Sequence, residues 1–150
     1  MPHIGNFPER GYPKPLSIPP SVFMPEEDTF DYHCTEYDLR NSTTLTIQEF
    51  YAPVYLPHKA TVTKLTLYGH RMTAESVLIL GLWRANRTGQ LFAMTAVMAD
   101  WTDGDGSKSK TTITDPVIDN VNCTYSLRLS IDPDAIVSDC SFLCGAIEWR

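Results

Sequence analysis

Seven of the eleven prolines fall within the first 25 residues, at Pro2, Pro8, Pro13, Pro15, Pro19, Pro20 and Pro25. Proline fixes φ and removes a backbone donor, so this stretch can neither propagate a helix nor close a compact unit alone. It must run extended until something pairs with it. Residues 1–20 are read as an extended N-terminal arm and residues 21–150 as one domain.

The pattern of that domain is one of strands. Residues 45–56 are rich in β-branched and aromatic types and end at Pro53 and Pro57. Residues 61–69 alternate, with Val62, Leu65 and Leu67 among threonines and Lys64. Residues 76–84 form a continuous apolar run, as expected of a strand covered on both faces. Strands over 90–101, 108–114, 123–131 and 141–149 complete the series, with Asp103-Gly104-Asp105-Gly106 and Asp132-Pro133-Asp134 as breaks. No amphipathic helical pattern intervenes, so a parallel α/β sheet is excluded. The expected fold is all-β, a single antiparallel, jelly-roll-like β-sandwich carrying the arm.

Composition narrows the partners. A net charge of −6 and the lack of a basic stripe speak against nucleic acid. The longest apolar run, from Val77 to Trp83, is far short of a membrane span. The first residues lack the pattern of a signal peptide, so the chain is read as intracellular or as a mature form. Four cysteines, Cys34, Cys123, Cys140 and Cys144, allow two disulfides in three connectivities, with buried thiols as the plain alternative. Asn41, Asn86 and Asn122 each begin a glycosylation sequon. Cysteines and sequons together favour an extracellular or cell-surface setting, with covalent glycans as one partner.

The string from Phe50 to Thr63, Phe-Tyr-Ala-Pro-Val-Tyr-Leu-Pro-His-Lys-Ala-Thr-Val-Thr, resembles the Leu-Pro-x-Gly-Ala-x-Ile/Val-Thr element of small jelly-roll-like β-sandwich proteins secreted by environmental bacteria. Ile18-Pro19, Phe23-x-Pro25, Leu82-Trp83-Arg84, Val121 and Tyr125-Ser126-Leu127 extend the likeness over residues 18–149. Lys59 stands where that family usually has Gly. Some such proteins are thought to build extracellular fibres, so the resemblance implies assembly and brings no catalytic residues.

The arm has the reach for assembly. Twenty residues in polyproline geometry span roughly 60 Å, against a body of roughly 36 Å diameter. Pro13, Pro15 and Pro19 share one parity while Lys14, Leu16 and Ile18 share the other. The segment would pair through one side only, as an added edge strand does. Leu16 and Ile18 would supply apolar anchors, worth about 3–6 kcal/mol before ordering costs. The expected function is a structural subunit of an extracellular filament or array, a homopolymer joined head-to-tail by this arm. Packing of the arm along its own sandwich is the plain alternative.

No nucleophile elbow, phosphate loop or dinucleotide fingerprint occurs, so no enzyme, cofactor or metal site is expected. Asp103, Asp105 and Ser107 resemble the spacing of a calcium loop, but Lys108 takes its glycine position and a hairpin turn is preferred. Glu26-Glu27-Asp28 reads as a solvated junction, and His3, His33, His58 and His70 lack metal spacing. The competing function is a carbohydrate-binding β-sandwich module of a secreted or cell-surface protein. Trp83, Trp101 and Trp149 lie at expected strand ends, where an exposed coplanar pair would form a sugar platform.

Overall fold

The computed structural model describes residues 14–150. Eleven strands follow in order: β1 (Lys14–Ile18), β2 (Met24–Pro25), β3 (Tyr32–Cys34), β4 (Leu39–Asn41), β5 (Gln48–Val54), β6 (Val62–Arg71), β7 (Val77–Asn86), β8 (Leu91–Met98), β9 (Gly104–Lys110), β10 (Cys123–Asp132) and β11 (Cys140–Trp149). Among the described residues there are two short 3₁₀ turns, Pro20–Val22 and Val137–Asp139, and no α-helix. One antiparallel sheet has the order β3-β4-β11-β6-β9, with β1 also on β11, and the other has the order β2-β5-β10-β7-β8. The chain is a two-sheet β-sandwich.

Period-two patterning decides which side of each strand is inside. Along β5, Gln48, Phe50, Ala52 and Val54 are buried while Glu49, Tyr51 and Pro53 face outward. Along β10, Tyr125, Leu127, Leu129 and Ile131 alternate with Ser126, Arg128 and Ser130 in the same way. Leu78, Leu80 and Leu82 of β7 meet Leu65 and Leu67 of β6 and Phe142 of β11 in a core from which water is fully excluded. The apolar run of β7 is covered completely on this side only, since Ile79 and Trp83 are half-buried on the other. Phe23 packs edge-on against Phe142 with ring centroids 5.0 Å apart.

For residues 14–18 the arrangement is the alternative one, packing along the chain's own sandwich. Residues 14–18 pair antiparallel with β11 of the same chain, Leu16 opposite Ile147 and Ile18 opposite Gly145. Ile18 is buried and Leu16 packs against the core, so the apolar anchors sit in their own sandwich. The physical reason is local supply. β4 covers β11 only at Phe142, which leaves the edge from Gly145 to Trp149 open to the nearest extended segment. Pro15 lies within this strand, whereas Pro13 lies outside the described residues. Of the residues assigned to the arm, 14–18 are thus part of the six-stranded sheet.

Two turns expose finer sequence requirements. Lys59, where the resembled family has Gly, adopts a left-handed φ of 68° between Pro57 and Ala60, whose N–H donates to the Pro57 carbonyl at 3.1 Å. That position of such a turn favours glycine. At the other end, β9 begins inside the expected Asp103–Gly106 turn. Gly106 faces Gly69, and the Trp101 indole fills the space left by its missing side chain. A Cβ there would lie 2.5 Å from the ring, while the indole N–H donates to the Gly104 carbonyl at 3.0 Å.

Two outcomes follow for stability. Lys59→Gly relieves the left-handed strain and raises stability by about 1 kcal/mol in denaturant titration, net of the added freedom of the unfolded chain. Gly106→Val forces Trp101 from its seat and lowers stability by about 1–3 kcal/mol in the same measurement. An unchanged midpoint for either variant contradicts the corresponding account.

Candidate functional site

The outward side of the five-stranded sheet carries the densest group of chemically capable side chains. One cross-strand row runs Met24, Tyr51, Arg128, Gly81, Ala96 over all five strands. At ordinary strand spacing it is roughly 19 Å long. The row on one side is Glu49, Ser130, Ile79, Met98, and on the other Pro53, Ser126, Trp83, Ala93. Small residues thus form the floor from which Tyr51, Arg128 and Trp83 rise.

Arg128 organises the centre. Its guanidinium carbon lies 4.9 Å from the Tyr51 ring centroid and 4.7 Å from that of Trp83. A planar, weakly hydrated cation suits this position between two π faces, where a lysine would not. Trp83 leans over Gly81, at which a Cβ would come within 2.7 Å of the indole nitrogen. Glycine is needed there because the indole occupies the space of a side chain.

Two carboxyls lie at one edge of this cluster. The Tyr51 hydroxyl donates to Glu26 at 2.9 Å, and the Ser130 hydroxyl lies 3.4 Å from Glu49. Burial pushes the Glu49 carboxyl above its ordinary range, reinforced by a hydrogen bond with Glu26 and by the charge of that residue. Arg128 and Ser130 pull the other way and do not cancel the rise. Burial, followed by the Glu26 hydrogen bond, also raises the Tyr51 phenol. Glu26 and Glu49 thus bring two acceptors to one edge of the cluster, with the Arg128 cation acting on Glu49. Glu26 belongs to the segment expected to be a simple solvated junction.

The face continues past Pro53 to Tyr55, which is 85% exposed and stands between two hollows. One, of about 400 Å³, is lined by Asn120, Thr124 and Tyr125. The other, of about 310 Å³, is lined by Leu16, Ile18 and Val22.

The residues singled out from sequence are scattered. The three tryptophans form no common platform. Trp101 closes the end of β9 and Trp149 packs against the core from β11, leaving Trp83 alone on this face. No disulfide forms, and Cys34, Cys123, Cys140 and Cys144 are unpaired. Cys34 is on β3, Cys123 opens β10 in the other sheet, and Cys140 and Cys144 share β11, too far apart along an extended strand to bridge. Burial pushes the Cys140 thiol up to about 12.

The sequons differ in the same way. Asn41 is buried and its amide donates to the Thr44 and Thr46 carbonyls, which closes it to glycosylation in the folded chain. Asn86 is half-buried and caps its own turn through Thr88 and Gln90. Asn122 is exposed, with its amide on Asp119 at 2.8 Å. Asp105 bonds the His70 ring at 2.7 Å, and no group of three metal-ligating side chains occurs among the described residues.

The Arg128 cluster joins residues from β5, β7 and β10 with Glu26, which follows β2, and only knowledge of strand order could have assembled it. The sequence signal was an outward parity shared by Tyr51, Trp83 and Arg128.

Glu49 generates a pH prediction. Its folded pKa is raised, so its stabilising contribution is full below the ordinary carboxylate range of about 4 and is lost as pH rises through the folded value. Thermal melts of Glu49→Gln should therefore gain on those of the parent chain between pH 4 and 7. A difference independent of pH would remove this account of the pair.

No protein-family model matches the chain, and no curated protein matches it significantly. Among solved structures it is similar to CBM86, a low-affinity xylan-binding module from the gut symbiont Roseburia intestinalis. Identity is 11% and the TM-score 0.50, over 91% of this chain and 96% of that one. It also matches TmCBM61, solved in complex with β-1,4-galactotriose, at 12% identity and a TM-score of 0.39, over 84% and 81% of the two chains. The first likeness is one of fold, a β-sandwich of similar extent.

Proposed function

We propose that this chain is a non-catalytic carbohydrate-binding module of a secreted or cell-surface protein, taking a glycan across the outer face of its five-stranded sheet. The observation that carries the reading is the Tyr51–Arg128–Trp83 stack with Glu26, Glu49, Ser126 and Ser130 around it. A pyranose ring has apolar C–H faces and a rim of hydroxyls. Aromatic surface meets the faces, while a guanidinium and carboxyls meet the rim through charge-assisted hydrogen bonds. Arg128 fixes the spacing of the rings before any ligand arrives, so little ordering cost falls on binding. Tyr55, standing free beyond Pro53, offers a further ring to a longer polymer.

The shared sandwich of a xylan-binding module supports the reading at the level of fold. The filament reading has weaker support, because the strand that would join neighbours is taken up within the chain. An extracellular setting follows from the ligand class in this proposal and does not require disulfides.

The test is affinity electrophoresis through gels containing soluble polysaccharides, both neutral and acidic. The chain should be retarded by at least one polymer, and Trp83→Ala should weaken that binding about tenfold while leaving the circular dichroism spectrum intact. Free migration through every polymer would refute the proposal.

A further inference from the structure

At the far side of the same face, β9 carries lysines where its register calls for core residues. Lys110 is opposite Leu65 and Lys108 opposite Leu67, and both leucines are completely buried. Residues opposed in an antiparallel ladder point to one face, so both lysines project towards the opening between the sheets. With Ser109 they wall a groove of about 510 Å³ whose other side is Ile79, Ala96, Val97 and Met98.

Inward-pointing lysine on an edge strand is a known protection against sheet extension, and its methylene stem covers apolar surface. That accounts for lysine here in general terms. It does not account for the groove or for its position. Ala96 ends the row that contains Arg128, and Met98 ends the row that contains Glu49, so the groove is continuous with the proposed glycan face. Lys108 is held by Asp100 at 2.5 Å, which fixes its ammonium and balances its charge. Lys110 has no ion pair among the described residues. The groove thus joins an apolar floor, with Met98 56% exposed, to one uncompensated cation.

From this juxtaposition we infer that the groove takes a carboxylate-bearing sugar, a hexuronate residue of the same glycan, with its ring on Met98 and Ala96 and its carboxylate at Lys110. This rests on the glycan reading of the adjoining face. It also gives the face a direction, with the carboxyl pair Glu26 and Glu49 at one end and the lysines at the other. A polymer of only neutral sugars would leave the cationic end unused.

The test compares uronate polymers (polygalacturonate, glucuronoxylan and alginate) with their methyl-esterified or carboxyl-reduced forms, by calorimetry at physiological ionic strength. Exposed charges more than about 8 Å apart are then largely screened, so diffuse attraction is suppressed. At least one acidic polymer should bind about tenfold more tightly than its neutralised form. Lys110→Gln should abolish that preference without weakening the neutralised form, and Trp83→Ala should weaken both. Equal affinity for both forms, or a preference that survives Lys110→Gln, overturns the inference and leaves the glycan face standing. If the parent chain binds none of the polymers, acidic or neutral, both readings fall.

Discussion

The guanidinium of Arg71 is the point on which one end of the sandwich depends. It is buried and donates to three backbone carbonyls, those of Ser76 at 2.7 Å, Trp101 at 2.7 Å and Ala74 at 2.6 Å. Two of these belong to the turn between β6 and β7, which carries the chain from one sheet to the other. The third holds the backbone at Trp101, whose indole then closes over Gly106 and seats β9. A buried cation is costly unless its donors are satisfied, and carbonyl oxygens oriented by the turn meet that need. The sheet crossing, the tryptophan lid and the edge strand are in this way fastened by one side chain.

Much of the fold was legible because alternation survives wherever one face of a strand is buried. The long strands β5, β6, β7, β8, β10 and β11 lie within a few residues of their expected positions. Short pieces were not legible. β3 and β4 have three residues each, and β2 has two, too few for a period to declare itself. The glycines of β9 were read as a turn because glycine signals turns in general. At Gly106 its use is room for Trp101, a requirement invisible until residues from separate strands meet. The same limit applied to the outer face of the five-stranded sheet. Tyr51, Trp83 and Arg128 are far apart in sequence and become neighbours because β10 inserts between β5 and β7.

The prolines of the N-terminal segment illustrate a different limit. Their parity implied a segment able to pair through one side, and residues 14–18 do form a strand along β11, with Ile18 buried and Leu16 packed against the core. Parity cannot say whose edge is paired. That choice belongs to geometry, and the short β4 leaves the required edge within reach of the same chain.

β11 has one further consequence, for the order of events in folding. It is the central strand of its sheet, flanked by β6 on one side and by β4 and β1 on the other. Without residues 140–149, β1 has no strand to join, the β3–β4 pair is cut off from the sheet, and β6 lacks its main partner. The first and last described strands meet directly, so loop closure must span almost the entire domain before that contact can form. Such a topology folds slowly and late, with the N-terminal strand waiting extended through synthesis. In that interval, residues that withhold donors and resist premature pairing are an advantage, and seven of the first 25 residues are prolines of that kind.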